Sequence, residues 1–209
     1  MQKIISLLFK VLKKVYLYFL RIIEHVFCRL LFYIHNVQHK SFVSSGIPYI
    51  SVALGGKCLI DKNFKMNNNL RGNPIGRPQR CVFFVDRGAV LTIGKNVGIS
   101  STAVVCHQSI TIGDNVKIGG GVCLYDTDFH SLNPKIRENA IEDLKSKIKI
   151  PIVIKNNAFI GAHSIILKGV VIGTNSVVGA SSVVTKSIPD NEIWAGNPAR
   201  FIKTLPIDN

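Results

Sequence analysis

From Ile154 onward an aliphatic residue returns at every sixth position: Ile154, Ile160, Ile166, Ile172, Val178 and Val184, with glycine next in three of the six. An earlier block repeats the pattern at Ile93, Ile99 and Val105 and, after one extra residue, at Ile112, Ile118 and Leu124. A period of six matches neither the 3.6-residue turn of a helix nor the alternation of a hairpin meander. It matches a solenoid of short parallel strands, three to a coil, in which each hexad points one aliphatic side chain at the axis. The fifth position is small (Ala158, Ser164, Ser176, Ser182), as a corner requires. Gly and Asn near the corners tolerate left-handed backbone. The pattern therefore predicts a mainly β protein, with the position-one residues as core.

The first forty residues follow a different rule. Residues 4–34 are dense in Leu, Ile, Val, Phe and Tyr, but charges leave no uncharged run longer than Ile4–Phe9 or Val15–Leu20. A membrane span needs about 20 apolar residues in succession, and a secretory leader would not carry lysines through its apolar stretch. At 100° per residue, Lys3, Lys10, Lys13, Lys14, Arg21, Glu24, His25 and Arg29 fall within roughly 160° of the wheel, opposite an aliphatic and aromatic arc. This is an amphipathic helix suited to lie in an anionic membrane interface. The alternative is that its apolar arc packs on the protein's own body or a neighbouring subunit. The expected organisation is a helix over 1–40, irregular first coils over 41–89, the β-helix over 90–189 with a loop at 126–149, and a C-terminal tail over 190–209.

Charge sharpens this picture. The chain carries a net charge of +14 over 209 residues, and residues 1–40 supply +6 of it, from seven Lys/Arg against Glu24. Localised basicity on a greasy segment favours an anionic membrane surface over nucleic acid, and no nucleic-acid motif is present. The five cysteines include no CxxC pair, so they read as reduced, mostly buried thiols of a cytosolic protein, without a zinc site.

The hexads stop after Leu124 and resume near Ile154. Between them runs a polar excursion, Asp128 to Lys149, with His130 at its root. Loops leaving a rigid solenoid are common seats of function, and an imidazole is suited to general base work near neutral pH.

From Val90 to Lys203 the sequence resembles the hexapeptide-repeat acyltransferases, in particular the maltose/galactoside and polysaccharide O-acetyltransferase branch. The resemblance is carried by Ile112-Gly-Asp-Asn-Val, by Tyr125-Asp-Thr-Asp-Phe-His130 and the loop after it, and by Ile188-Pro-Asp-Asn with Gly196-Asn-Pro-Ala-Arg200. It implies a left-handed parallel β-helix that assembles as a homotrimer, acetyl-CoA as co-substrate without a metal, and a sugar acceptor. It also implies His130 as the base that deprotonates the acceptor hydroxyl. Asp126 and Asp128 flank His130, so either is a candidate to orient the imidazole, the alternative being that one contacts the acceptor and the other is solvated; Asp128 is the catalytic candidate and Asp126 the acceptor-side one. The CoA site carries over to backbone groups at Ala162 and Ala180, side chains near Thr185 and Lys186, and Arg200 for the nucleotide phosphates. One coil earlier the sequence departs from the branch. It has Ile99-Ser-Ser101 and Cys106-His107, so Ser101 and His107 become candidates for the acceptor side.

Three histidines at 107, 130 and 163 are spaced too widely for a zinc hydratase of the same fold. Serine O-acetyltransferase would need a longer polar N-terminal domain. Sugar N-acylation and a structural β-helix scaffold stay open at this point. The helix, foreign to the soluble-sugar enzymes, points to a lipid-linked saccharide at the inner face of the plasma membrane, in surface polysaccharide synthesis.

Overall fold

The computed structural model describes residues 1–75 and 79–206. One long helix, α1 (Gln2–Ile34), leads into a three-sided prism of parallel strands. The first face holds Val37–His39, Lys57–Ile60, Val90–Ile93, Ser109–Ile112, Ile152–Ile154 and Val171–Ile172; successive strands of the chain go to the second and third faces in turn. The second face ends differently from the others. Glu192–Ala195 adds in parallel, and Arg200–Thr204 then folds back antiparallel on its edge. This is the parallel solenoid that the hexads predict, and a left-handed β-helix, as the resemblance implies.

Stacking of hexads puts equivalent residues in vertical columns. Ile93, Ile112, Ile154 and Ile172 are register partners on the first face, and Ile99, Ile118, Ile160 and Val178 on the second. All are buried, and each such side chain contributes about 1.5–3 kcal/mol on leaving water. The third column runs Val104, Leu124, Ile166, Val184. Val105, expected inside, faces outward, because the corner at Ser100–Thr102 is one residue shorter than the corner at Gly120 in the next coil. The small fifth-position residues Ala158, Ser164, Ser176 and Ser182 are fully buried at corners.

One corner is held by an asparagine ladder. Asn63, Asn96, Asn115, Asn157, Asn175 and Asn191 all adopt left-handed backbone with φ between 57° and 62°. Each side-chain amide Nδ2 donates to the Oδ1 of the next, at 2.7–3.0 Å. Asparagine suits this corner because it tolerates positive φ and carries both a donor and an acceptor.

The coils start at Val37, ahead of the boundary expected near Ser41, and run in register through Val85. What is irregular there is an excursion after Asn67, which ends before Val82. The helix differs from expectation in a more instructive way. Glu24 and His25, placed by the wheel on a polar arc, face the body. Glu24 pairs with Arg71 of that excursion, and His25 stacks on Phe42 at 4.7 Å. Cys28 and Phe32 complete the docking stripe, Phe32 packing on Phe42 at 4.7 Å. The apolar arc packs on nothing among the described residues; Ile4, Leu8, Leu12, Val15, Phe19, Val26 and Leu30 are each about half exposed or more. No helix among the described residues is long and apolar enough to cross a membrane.

Candidate active site

The strand Cys123–Tyr125 on the third face ends at the corner where the hexads stop. The chain leaves through a narrow neck: Thr127 bridges Lys149, the Asp128 N–H donates to the Ile148 carbonyl, and the Ile150 N–H donates to the Asp126 carbonyl. Beyond the neck lie two short helices, α2 (Pro134–Arg137) and α3 (Ala140–Ser146), each started by an asparagine, Asn133 and Asn139, whose side chain accepts N–H bonds from the first turn. His130 stands at the mouth of the neck, with its side chain 70% exposed. The residue before it, Phe129, holds a φ of 65°, a conformation that bulky side chains rarely take and that the surrounding turn must enforce.

The imidazole has a carboxylate partner, but not one of the flanking aspartates. His130 Nδ1 lies 2.6 Å from Asp143 Oδ2 on α3, while Asp143 Oδ1 accepts the Ser131 backbone N–H at 2.6 Å. The His130 contact first, and the Ser131 N–H second, hold the Asp143 carboxyl below the usual carboxylate range. With Asp143 ionised, Nδ1 carries the proton and donates it to the carboxylate. Nε2 is then left without a hydrogen-bond partner among the described residues, on a side chain that is mostly exposed. The only sequence signal for Asp143 is an acid in the first turn of a capped helix thirteen positions after His130, and the pairing needs the fold of the excursion to become visible.

The flanking aspartates have other work. Asp126 is fully buried, and its two oxygens accept the backbone N–H groups of His107 at 2.7 Å and Gln108 at 2.8 Å. It closes a corner. Asp128 Oδ1 pairs with Lys168 Nζ at 2.5 Å, across to the next coil, and its Oδ2 is buried without a partner among the described residues. Asp128 thus anchors the neck; it does not touch the imidazole. Ser101 is buried at a corner with a φ of 48°.

His107 does lie one coil from the neck, as expected, but it is engaged. Its Nδ1 sits 2.8 Å from Asp86 Oδ2 and 3.1 Å from Lys147 Nζ, and its ring packs against Phe84 and Phe129. Burial, then the nearby Lys149 charge, lowers the Lys147 pKa. Asp86 also draws Lys149, at 3.8 Å. Asp86 and His107 therefore clamp the returning arm of the excursion onto the preceding coils.

The residues expected at CoA fall on three parts of one protomer. Ala162 and Ala180 stack at the corner between the second and third faces, where the Ser181 N–H donates to the Ala162 carbonyl. Thr185 and Lys186 lie exposed at the far margin of the third face, just past Val183–Val184. Arg200 is exposed on the antiparallel end strand, its guanidinium touching only the Ala199 carbonyl among the described residues. The last coils of the third face separate the two groups, and the face between them is lined by Ile165, Leu167 and Val183.

Residues 151–186 match the family model described as bacterial transferase hexapeptide (six repeats), and residues 90–126 match that of the hexapeptide repeat of succinyl-transferase. A putative acetyltransferase of Dictyostelium discoideum is 42% identical over 126 residues, covering 59% of this chain and 62% of that protein. The galactoside O-acetyltransferase of Escherichia coli K12 is 40% identical over 119 residues, 56% of each chain. The chain thus spans about six-tenths or less of these relatives. A hexapeptide-repeat acetyltransferase from Vibrio cholerae, solved with acetyl coenzyme A, superposes with a TM-score of 0.51 at 36% identity, covering 56% of this chain and 61% of that one.

Proposed function

We propose that this chain is a hexapeptide-repeat acetyltransferase that moves an acetyl group from acetyl-CoA onto a sugar hydroxyl, with His130 as the base. The observation that carries this reading is the His130–Asp143 pair at the mouth of the neck, one nitrogen held by an anion and the other free. A sugar hydroxyl is a poor nucleophile at neutral pH, so its proton must leave as the oxygen attacks the thioester carbonyl. Nε2 takes that proton. The tetrahedral intermediate then expels the CoA thiolate, which takes the proton back from the imidazolium, leaving ester, thiol and neutral histidine. Asp143 stabilises the imidazolium in between and fixes the tautomer.

In this reading the pantetheine arm lies along the third face between Ala162 and Ala180 on one side and Thr185 and Lys186 on the other, with Arg200 at the nucleotide phosphates. The assembly is a homotrimer. Leu132, Ile141 and Leu144 expose apolar surface on the excursion, which suits a neighbouring subunit. The exposed apolar arc of α1, with the basic arc opposite it, supports attachment to the anionic inner surface of a membrane and, as acceptor, a lipid-linked saccharide of surface polysaccharide synthesis. The deciding experiment incubates the full-length protein with acetyl-CoA and candidate saccharides. A mass gain of one acetyl group, lost in His130→Ala, supports the reading; acetylation of an amine with hydroxyls untouched overturns it.

A further inference from the structure

The way α1 is docked creates a cleft between the helix and the first coils of the second face. It has a volume of about 330 Å³, and its walls include Arg21 and Glu24 from the helix, Ser45 and Lys65 from the strands, and Asn67 and Arg71 at the start of the first excursion. Three cations face one carboxylate there. Arg21 and Lys65 are exposed and make no ion pair among the described residues; Arg71 is committed to Glu24 Oε1. The other oxygen, Glu24 Oε2, is buried and has no hydrogen-bond partner among the described residues. A buried acceptor left open is costly, and a group brought by a ligand would satisfy it.

We infer that this cleft binds a phosphate ester that also carries a hydroxyl, the chemistry of a glycerol- or sugar-phosphate headgroup. The phosphate answers the surplus positive charge of Arg21, Lys65 and Arg71; the two guanidinium forks suit phosphate oxygens and the ammonium adds a point charge. The hydroxyl, carried on a carbon arm that inorganic phosphate lacks, donates to Glu24 Oε2 while the phosphate stays on the cations. Geometry favours a lipid as the source. The docking stripe Leu17, Glu24, Cys28, Leu31 and Phe32 and the exposed arc Leu8, Leu12, Val15, Phe19, Val26 and Leu30 lie roughly 170° apart on the helix. A helix about 10 Å across, its apolar side at the acyl boundary, holds its opposite side at about the depth of the headgroup phosphates. The lipid source rests on the membrane reading of α1, whereas the site itself does not.

The test uses the full-length protein, titrated with glycerol 3-phosphate, with inorganic phosphate, and with vesicles of phosphatidylcholine with or without phosphatidylglycerol. Wild type should bind glycerol 3-phosphate saturably, more tightly than inorganic phosphate. The pair Arg21→Gln with Lys65→Gln should weaken that binding at least about tenfold, whereas Lys10→Gln with Lys13→Gln, which removes the same charge outside the cleft, should leave it within about twofold. Both pairs alter exposed side chains, and unchanged thermal melts confirm the fold. No saturable binding of either soluble ligand up to about 10 mM, or equal losses in the two pairs, overturns the site. Soluble binding lost with the cleft pair, together with vesicle binding that is indifferent to phosphatidylglycerol, keeps the site and assigns it a free phosphate ester, and in that case only the membrane reading fails.

Discussion

Replacing Asp143 by Asn is the sharpest probe of the catalytic reading. The amide keeps the size and the capped helix around it but removes the anion. It offers an oxygen to only one of two donors that now share the carboxylate, His130 Nδ1 and the Ser131 N–H, both at 2.6 Å. If the oxygen stays on Ser131, an N–H faces Nδ1 and favours the tautomer with its proton on Nε2, the wrong nitrogen for a base. In a fully buried triad the same change costs about 10⁴-fold. Here the imidazole is 70% exposed, so water screens the lost charge and supplies a substitute partner, and the expected fall in kcat is about 10–10²-fold. The assay is initial-rate release of CoA, with KM for acetyl-CoA measured in parallel. KM should move by less than about threefold, and Asp143→Glu should recover part of kcat. Asp128→Asn serves as the comparison, since it disturbs the Lys168 anchor but not the imidazole, and should cost kcat less than Asp143→Asn. Retention of more than half of kcat in Asp143→Asn, or a larger loss in Asp128→Asn, would refute the dyad.

Five further outcomes are expected. His130→Ala lowers kcat by about 10²–10⁴-fold with acetyl-CoA binding nearly intact; a variant with a third of wild-type turnover would remove it as the base. Because the Asp143 carboxyl ionises below its unfolded value near 3.9, the dyad's ordering of the loop is complete above that pH and is lost as pH falls through the lower folded value. The protection factor of the Ser131 amide, corrected for the slower intrinsic exchange in acid, should therefore fall below about pH 4, and an unchanged protection factor there would contradict the assignment. Asn115→Ala breaks two rungs of the ladder at positive φ and should cost about 1–2 kcal/mol in a urea melt, Asn115→Gly less, because glycine restores the backbone freedom. Burial raises the thiols of Cys58, Cys81 and Cys106 to about 12, so native protein should react slowly with disulfide reagents except at the partly exposed Cys123, and five thiols should appear on denaturation. Deletion of residues 2–16 should abolish sedimentation with anionic vesicles while leaving the melt unchanged, since the docking contacts start beyond it; equal partitioning would make α1 a packing element only.

The repeat was legible in the sequence because its cause is local and periodic. One aliphatic residue per hexad must reach the axis, so Ile154 through Val184 announce both the period and the core. The amphipathic helix was legible for the same reason, as was His130, the histidine at the place where the period breaks. Contacts that join distant stretches were not. Glu24 looked like part of a solvated arc until the fold brought Arg71 to it, 47 positions along the chain. Asp126 and Asp128 flank His130 in sequence, yet the neck turns them toward the backbone N–H groups of the preceding coil and toward Lys168, and α3 swings Asp143 to the imidazole instead. Sequence adjacency in a loop says little about direction, since each corner rotates its side chains by where the next coil pulls the backbone. Periodic burial is written in the order of residues, whereas polar pairing at the site is decided by which carboxylate the tertiary structure leaves within reach.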